Sequence, residues 1–349
     1  MTAPGSVLVA GTGKMGRNIG LHLARNGWRV AWMGRDAQRM ALAERWLGRR
    51  LRKLPPEAAL GFWLADDPKP LPPVALVIEA IEEDAGRKQE LLRRLEARLP
   101  TPTPAPRLLS TTSSLLPEAL HPRLSVAHFF YPLEYTGLVE LVPGPALGPE
   151  DAHELAATLE QTGLLVVRQD HRSAFMLNRL LLPLQNACLA ALINGMPPEQ
   201  VDEASAASPL CPVGQLGLMD SVGLDVVAAA VENYLARMEP QEAAAYAPLR
   251  RGLARALALG RRGNKSGAGL LCGEPMTWDE QPEPGWSAPE AWSDLMLGAC
   301  MAAKERGLVD AATLDAALAR LFGAEATVGE ELMRCISRRM QEGESRSPA

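Results

Sequence analysis

Aromatic residues are scarce at 5%, and histidine and cysteine number only five each. The cysteines (Cys188, Cys211, Cys272, Cys300 and Cys335) are scattered and form no CxxC. A disulfide framework and a zinc site are therefore not expected, and the thiols read as reduced and cytoplasmic. A basic excess is lacking too. Lys+Arg is 36 against 41 for Asp+Glu, a net charge of −5, which argues against a nucleic-acid binder. No apolar run of about 18 residues is expected to span a bilayer. The start, MTAPGS leading into VLVAG, has no charged region, apolar core and cleavage site in the order of a signal peptide. What is present is 47% hydrophobic and 22% charged residues in 349 positions, the profile of a soluble globular protein of about two domains.

The first half alternates short apolar runs with helical periods. SVLVAG (6–11), WRVAWM (28–33), VALVIEA (74–80), RLLSTT (107–112) and LSVAHF (124–129) are strand candidates. Lys14 to Asn26 and Arg87 to Leu99 have helical spacing. The alternation predicts a parallel, doubly wound sheet. The Pro-rich LPTPTPAPR (99–107) reads as a stiff surface loop within this domain. From about Ala174 the strand signals stop and Ala/Leu-rich helical periods follow, so a boundary is set near Asp170. The second half contains a repeat: ACLAALINGM (187–196) and ACMAAKERGL (299–308) share Ala, Cys, Ala, Ala and Gly at a constant offset of 112. Val213-Gly214 and Leu218-Met219 are echoed by Val328-Gly329 and Leu332-Met333. The span Cys272 to Trp292, rich in Pro, Gly and Trp, reads as a connector between the two copies.

Gly11-Thr12-Gly13-Lys14-Met15-Gly16 is a GxGxxG motif that follows a strand and opens a helix. Its first glycine makes the turn, the second admits a pyrophosphate and the third lets helix and strand pack, so Gly11, Gly13, Lys14, Met15 and Gly16 are candidate dinucleotide ligands. The usual ribose-binding acid at the end of the second strand is replaced by Gly34, followed by Arg35 and Asp36. Arg35 is suited to a 2′-phosphate, so the cofactor is NAD or NADP with a lean toward NADP. Asp36 either reaches the ribose or caps the next helix.

GTGKMG, VIEAIEED, STTSS, HFFYPLEYTGLVELVPG, NR and VGLD, in that order over about residues 6 to 271, resemble the 3-hydroxyacyl-CoA dehydrogenase family. The C-terminal remainder resembles a second, degenerate copy of the family's helical domain. The resemblance implies an α/β Rossmann-type dinucleotide-binding domain (1–170), then an all-α domain (171–272) with an internal repeat (287–342). It implies that His128 is the general base, Glu140 its orienting carboxylate, and Ser113 and Asn178 substrate-binding residues. The chemistry agrees, since a neutral histidine can take a hydroxyl proton while a carboxylate fixes its tautomer. Alternatively, His128 is a core histidine and Glu140 a surface acid, Ser113 a helix N-cap and Asn178 a surface amide. Glu83 and Lys88 match the family's cofactor-side pair, with a surface ion pair as the other reading. His22, His121, His153 and His171 match no motif.

The chain departs from the family in two places. Asp170-His171-Arg172-Ser173-Ala174-Phe175 stands where the family has a Pro-Gly-Phe step. Asp36 to about Pro73 is too short for the helical hairpin with which the family helps hold the adenine end of CoA, and it carries Arg45, Arg49 and Arg52 on one helical face. The expected function is hydride transfer between NAD(P) and the 3-hydroxy/3-oxo group of an acyl-CoA or acyl-carrier-protein thioester, without nucleic-acid, membrane or metal partners. The alternatives are a dehydrogenase of a non-thioester hydroxy acid or sugar acid, and a non-catalytic dinucleotide-binding scaffold. The second helical copy is expected to make an intramolecular pseudo-dimer, with a homodimer as a further possibility.

Overall fold

The computed structural model describes residues 5–100, 105–278 and 285–345. The first four residues, residues 101–104 of the Pro-rich loop and residues 279–284 of the connector lie outside the described residues. The chain divides into two compact units, Met1–Ala174 and Phe175–Ala349. The division falls four residues beyond the expected boundary, because Asp170 closes a turn that belongs to the first unit. Its carboxylate accepts from the backbone N–H of Arg172 (2.9 Å) and of Ser173 (2.8 Å) and from the Ser173 hydroxyl (2.8 Å).

The first unit is built on one eight-stranded sheet of order β3-β2-β1-β4-β5-β6-β7-β8. Its strands are β1 (Ser6–Ala10), β2 (Arg29–Gly34), β3 (Ala59–Leu64), β4 (Leu76–Glu79), β5 (Arg107–Ser110), β6 (Leu124–Phe129), β7 (Leu138–Val142) and β8 (Leu165–Arg168). The helices are α1 (Lys14–Arg25), α2 (Ala37–Leu51), α3 (Ala85–Arg98), the short α4 (Pro117–Leu120) and α5 (Leu133–Thr136), and α6 (Pro149–Glu160). Successive β1 residues point to opposite faces, so Val7 and Val9 join one core cluster with Ile19, Trp32, Phe129 and Leu159. Leu8 and Ala10 join the other, with Val77, Leu92, Leu95 and Leu124. Burial on both faces makes the strands read as continuous apolar runs rather than alternating ones.

The sheet is not parallel throughout. β6 and β7 pair antiparallel, and β7 and β8 are parallel to each other. Between β2 and β4 there is one long helix, α2, and then the edge strand β3, so the hairpin-shortened segment adds a strand to the sheet.

The second unit is helical: α7 (Met176–Arg179), α8 (Leu182–Ile193), α9 (Pro198–Ser205), α10 (Gln215–Val222), α11 (Leu224–Leu235), α12 (Pro240–Ala244), α13 (Ala247–Ala258), α14 (Trp292–Glu305), α15 (Ala311–Phe322) and α16 (Val328–Ser345). The repeated sequence has repeated geometry. α8 ends with Gly195 at φ +89° and α14 with Gly307 at φ +67°. Gly195 N–H donates to Leu192 and Met196 N–H to Ala191, while Gly307 donates to Lys304 and Leu308 to Ala303, the same four positions at the offset of 112. A positive φ is why glycine recurs there. The matching Cys188 and Cys300 are buried on the two helices, and desolvation pushes each thiol up to about 12. In both copies an aspartate on the second helix accepts from the start of the third, Asp202 from Leu216 N–H (2.8 Å) and Asp315 from Val328 N–H (2.9 Å).

By length and composition alone, Met176–Ile193 would suffice to cross a membrane, contrary to the reading that no such segment exists. Two thirds of that window is buried inside the protein, and burial as a core helix accounts for its apolar character.

Candidate active site

The GxGxxG turn lies between β1 and α1, and each glycine has a steric reason. Gly11 has φ +140°, and a Cβ there would come 2.2 Å from the Ala80 carbonyl oxygen. A Cβ on Gly16 would stand 2.1 Å from the Gly11 carbonyl oxygen, so only glycine lets α1 approach the strand. A Cβ on Gly13 would meet no atom within 4 Å. That opening faces a groove of about 830 Å³ lined by Gly11, Thr12, Gly13, Lys14 and Met15, by Gly34, Arg35, Asp36 and Arg39, and by Ala80, Glu82 and Arg87. No side chain caps the start of α1, so its N–H groups are available in the manner of an anion site. These residues fit a dinucleotide.

At the ribose end of the groove, Gly34 is buried, and a Cβ would touch Met40 at 3.0 Å and Thr12 at 3.1 Å. The usual acid has little room there. Asp36 is the N-cap of α2 and accepts from Arg39 N–H at 3.1 Å. That hydrogen bond, despite some desolvation, holds the carboxyl below its ordinary range. Arg35 is exposed and pairs with Glu82 at 3.6 Å, and Arg87 pairs with the same carboxylate.

The proton-handling pair sits on the reversed part of the sheet. His128 of β6 and Glu140 of β7 are directly opposite in the antiparallel register, which is how residues 12 apart come together. His128 Nδ1 lies 2.8 Å from Glu140 Oε2. Glu140 is fully buried and His128 is 7% exposed. A carboxylate only accepts, so Nδ1 carries the proton. The reading of Glu140 as a surface acid is thereby corrected, while His128 is a buried histidine whose Nδ1 is satisfied by that carboxylate.

Ser113 is half-buried, and its backbone N–H (3.0 Å) and hydroxyl (3.4 Å) both donate to Glu83. It is not a helix cap. No helix starts at this point, since α4 begins at Pro117 with Leu116 as its N-cap; Thr112 Oγ1 instead closes a turn, accepting from Ser114 N–H (3.3 Å) and Leu115 N–H (3.0 Å). Asn178 belongs to the second unit, where its amide donates to the Tyr234 hydroxyl at 3.1 Å.

The Glu83–Lys88 expectation needs correction in its surroundings. Lys88 is fully buried, so the pair is not a surface ion pair. Its ammonium donates to both oxygens of Glu79, at 2.9 and 3.0 Å, and lies 3.5 Å from Glu83. Glu79 is the acid of VIEA, had no role in the sequence reading, and also accepts from Ile81 N–H at 2.7 Å. Glu83 is partly desolvated, which opposes its charge. Lys88 and the donors of Thr112, Ser113 and Ser114 outweigh this and hold its carboxyl below the usual range. The four unassigned histidines pair locally: His22 with Thr162, His121 with Glu96, His153 with Arg168 and His171 with Glu118. Arg45, Arg49 and Arg52 lie exposed along α2 and its C-cap.

A nucleotide groove and a buried histidine–carboxylate pair carried by one sheet are the equipment of a nicotinamide-dependent oxidoreductase. The NAD-binding domain model of 3-hydroxyacyl-CoA dehydrogenase matches residues 6–171, and the model of its C-terminal domain matches 175–271. The chain belongs to the 3-hydroxyacyl-CoA dehydrogenase family. A probable 3-hydroxybutyryl-CoA dehydrogenase of Bacillus subtilis (strain 168) is 29% identical over 246 residues, 65% of this chain and 84% of that protein. The crystal structure of (S)-3-hydroxybutyryl-CoA dehydrogenase from Ralstonia eutropha is 25% identical with a TM-score of 0.64, covering 77% of this chain and 99% of that one. The 3-hydroxybutyryl-CoA dehydrogenase of Escherichia coli K12 shares the fold at a TM-score of 0.68 and 20% identity, over 93% of this chain and 89% of that one.

Proposed function

We propose that the protein interconverts the 3-hydroxy and 3-oxo groups of an acyl-CoA, with His128 as its acid/base. The observation that carries this is the buried 2.8 Å contact of His128 Nδ1 with Glu140. A bound nicotinamide supplies the hydride acceptor or donor. His128 Nε2 takes the hydroxyl proton in oxidation and returns it in reduction. Glu140 stabilises the imidazolium that forms. Ser113 holds the substrate oxygen in this reading, and Glu83 sets its position; Asn178 is kept as a substrate-binding residue on the family pattern alone. Turnover of acetoacetyl-CoA with NADH or NADPH tests it, and loss of that turnover without His128 is expected. A carrier-protein thioester or a free hydroxy acid is the second reading, favoured by the single helix and edge strand that replace a helical hairpin after β2.

For the cofactor, a nicotinamide dinucleotide, we propose a preference for NADP. Gly34 leaves no acid for the 2′-hydroxyl, Asp36 is engaged as a cap, and Arg35 and Arg39 border the groove. Arg35→Ala should weaken NADPH much more than NADH in titrations of the purified protein. Equal losses for both would return the site to NAD.

For assembly, we propose that the second helical copy covers the first as a partner subunit otherwise would. α14 packs on α8 and α9, and Glu325 N–H donates to the Pro209 carbonyl at 2.8 Å. Large exposed apolar patches are uncommon on single chains. Truncation after Gly273 should give an insoluble protein or a new dimer by light scattering. A well-behaved active monomer would refute the pseudo-dimer. Four buried thiols and a fifth half-buried one, all free, support the proposal that the protein works in the reducing cytoplasm.

A further inference from the structure

The carboxylate of Glu140 has two oxygens, and His128 Nδ1 engages Oε2. The other, Oε1, accepts from the side-chain amide of Gln169 at 2.5 Å. Gln169 is 6% exposed and follows β8 directly. Its backbone N–H donates to the Leu141 carbonyl at 2.9 Å, so the β7–β8 ladder runs one residue further and fixes where the side chain starts. Because an ionised carboxylate can only accept, the amide nitrogen, and not its oxygen, must face Glu140.

We propose that Gln169 is a positioning residue for proton transfer, holding the Glu140 carboxylate in the plane that meets His128 while leaving its negative charge intact. The inference rests on the reading of His128 as the acid/base. Each alternative side chain fails in a definable way. An apolar residue leaves Oε1 buried without this donor, and the carboxylate can then rotate away from Nδ1. A lysine adds a positive charge that offsets the one stabilising imidazolium. A glutamate adds a second carboxylate.

Three strands contribute to this group. β6 supplies His128, whose ring also packs on Phe130 at 4.4 Å between centroids. β7 supplies Glu140, and the end of β8 supplies Gln169. The next residue, Asp170, is a second carboxylate in the same segment. It is partly desolvated, but the hydrogen bonds from Ser173 and Arg172 outweigh that and keep it below the ordinary range.

The test is the ring titration of His128 by NMR in the protein without cofactor, assigned by the signal that His128→Gln removes. This reads the pair whether or not the enzyme turns over a given substrate, so failure of the proposal is separable from failure of the functional reading. Gln169→Lys should lower the His128 pKa and Gln169→Glu should raise it, each by roughly one unit. Gln169→Leu should lower kcat by a factor on the order of 10, as losing an outer partner does, with the cofactor KM unchanged. If the charged variants do not fold, Gln169→Leu and Gln169→Met carry the test through kcat and the His128 titration. Opposite shifts, or a kcat loss accompanied by a shifted titration, support the proposal. Unchanged titration in folded variants, or charged variants that shift it in the same direction, overturns it.

Discussion

His128→Gln is expected to lower turnover by a factor on the order of 10² to 10⁴, the usual worth of a positioned acid/base. At about 1.4 kcal/mol per factor of ten, that is roughly 3 to 5 kcal/mol of transition-state stabilisation. Affinity for the dinucleotide should stay near normal, because the groove is built on the β1–α1 turn and the end of β2, and His128 does not line it. Stopped-flow turnover and equilibrium binding of the cofactor measure the two quantities separately. Glu140→Gln should also lower turnover. The amide has nearly the same shape, but it removes the charge that favours imidazolium, and it can present N–H to Nδ1 and impose the wrong tautomer. Normal turnover in His128→Gln would remove the histidine from the chemistry.

The second large effect is on stability. Lys88→Met leaves Glu79 fully buried without the ammonium that meets both its oxygens. Breaking a buried pair by removing one partner costs about 3–5 kcal/mol, since a charge is left uncompensated. Urea denaturation should show that loss in Lys88→Met. The double variant Glu79→Gln with Lys88→Met should recover most of it, because the fully buried carboxylate of Glu79 is then gone and the remaining Glu83 keeps the donors of Thr112, Ser113 and Ser114. Lys88→Met should also reduce turnover, since Lys88 is a charge partner of Glu83 and Glu83 holds Ser113. A Lys88→Met protein as stable as the native one would show that the buried pair contributes nothing. Failure of the double variant to recover would assign the loss to packing of the lysine stem.

The parts legible in the sequence are those with a local signature. A glycine turn between an apolar run and a helical period marks β1, α1 and the groove, because the steric demands at Gly11 and Gly16 fall within one turn. The duplication was legible because glycine is needed where each helix ends at positive φ, at Gly195 and Gly307. Strand direction was not legible. LVELV is buried at all five positions, so its pattern is the same whether the strand runs with or against its neighbours, and the sheet was read as parallel. The edge strand β3, ALGFWL, is an apolar run broken by Gly61 and is mostly half-buried. β8 is only four residues long.

The site divides in the same way. His128 and Glu140 stood out through the family pattern, and the antiparallel register explains their spacing. Glu79 and Gln169 did not, because each acts through a residue on another element. Glu79 lies nine positions from Lys88, in a strand rather than on its helix. Glu83 lies five positions from Lys88, close enough in sequence to read as a surface ion pair. Nothing local to Gln169 shows that its amide meets a carboxylate 29 residues earlier.

The central claim is that the buried pair on β6 and β7 serves hydride chemistry at C3 of an acyl thioester. The most direct measurement is initial-rate reduction of acetoacetyl-CoA by the full chain, with NADH and NADPH in parallel, beside His128→Gln. The account predicts turnover by the native protein with at least one of the two cofactors, and its loss in the variant while cofactor binding persists. Tight cofactor binding without turnover of this substrate by the native protein would contradict it.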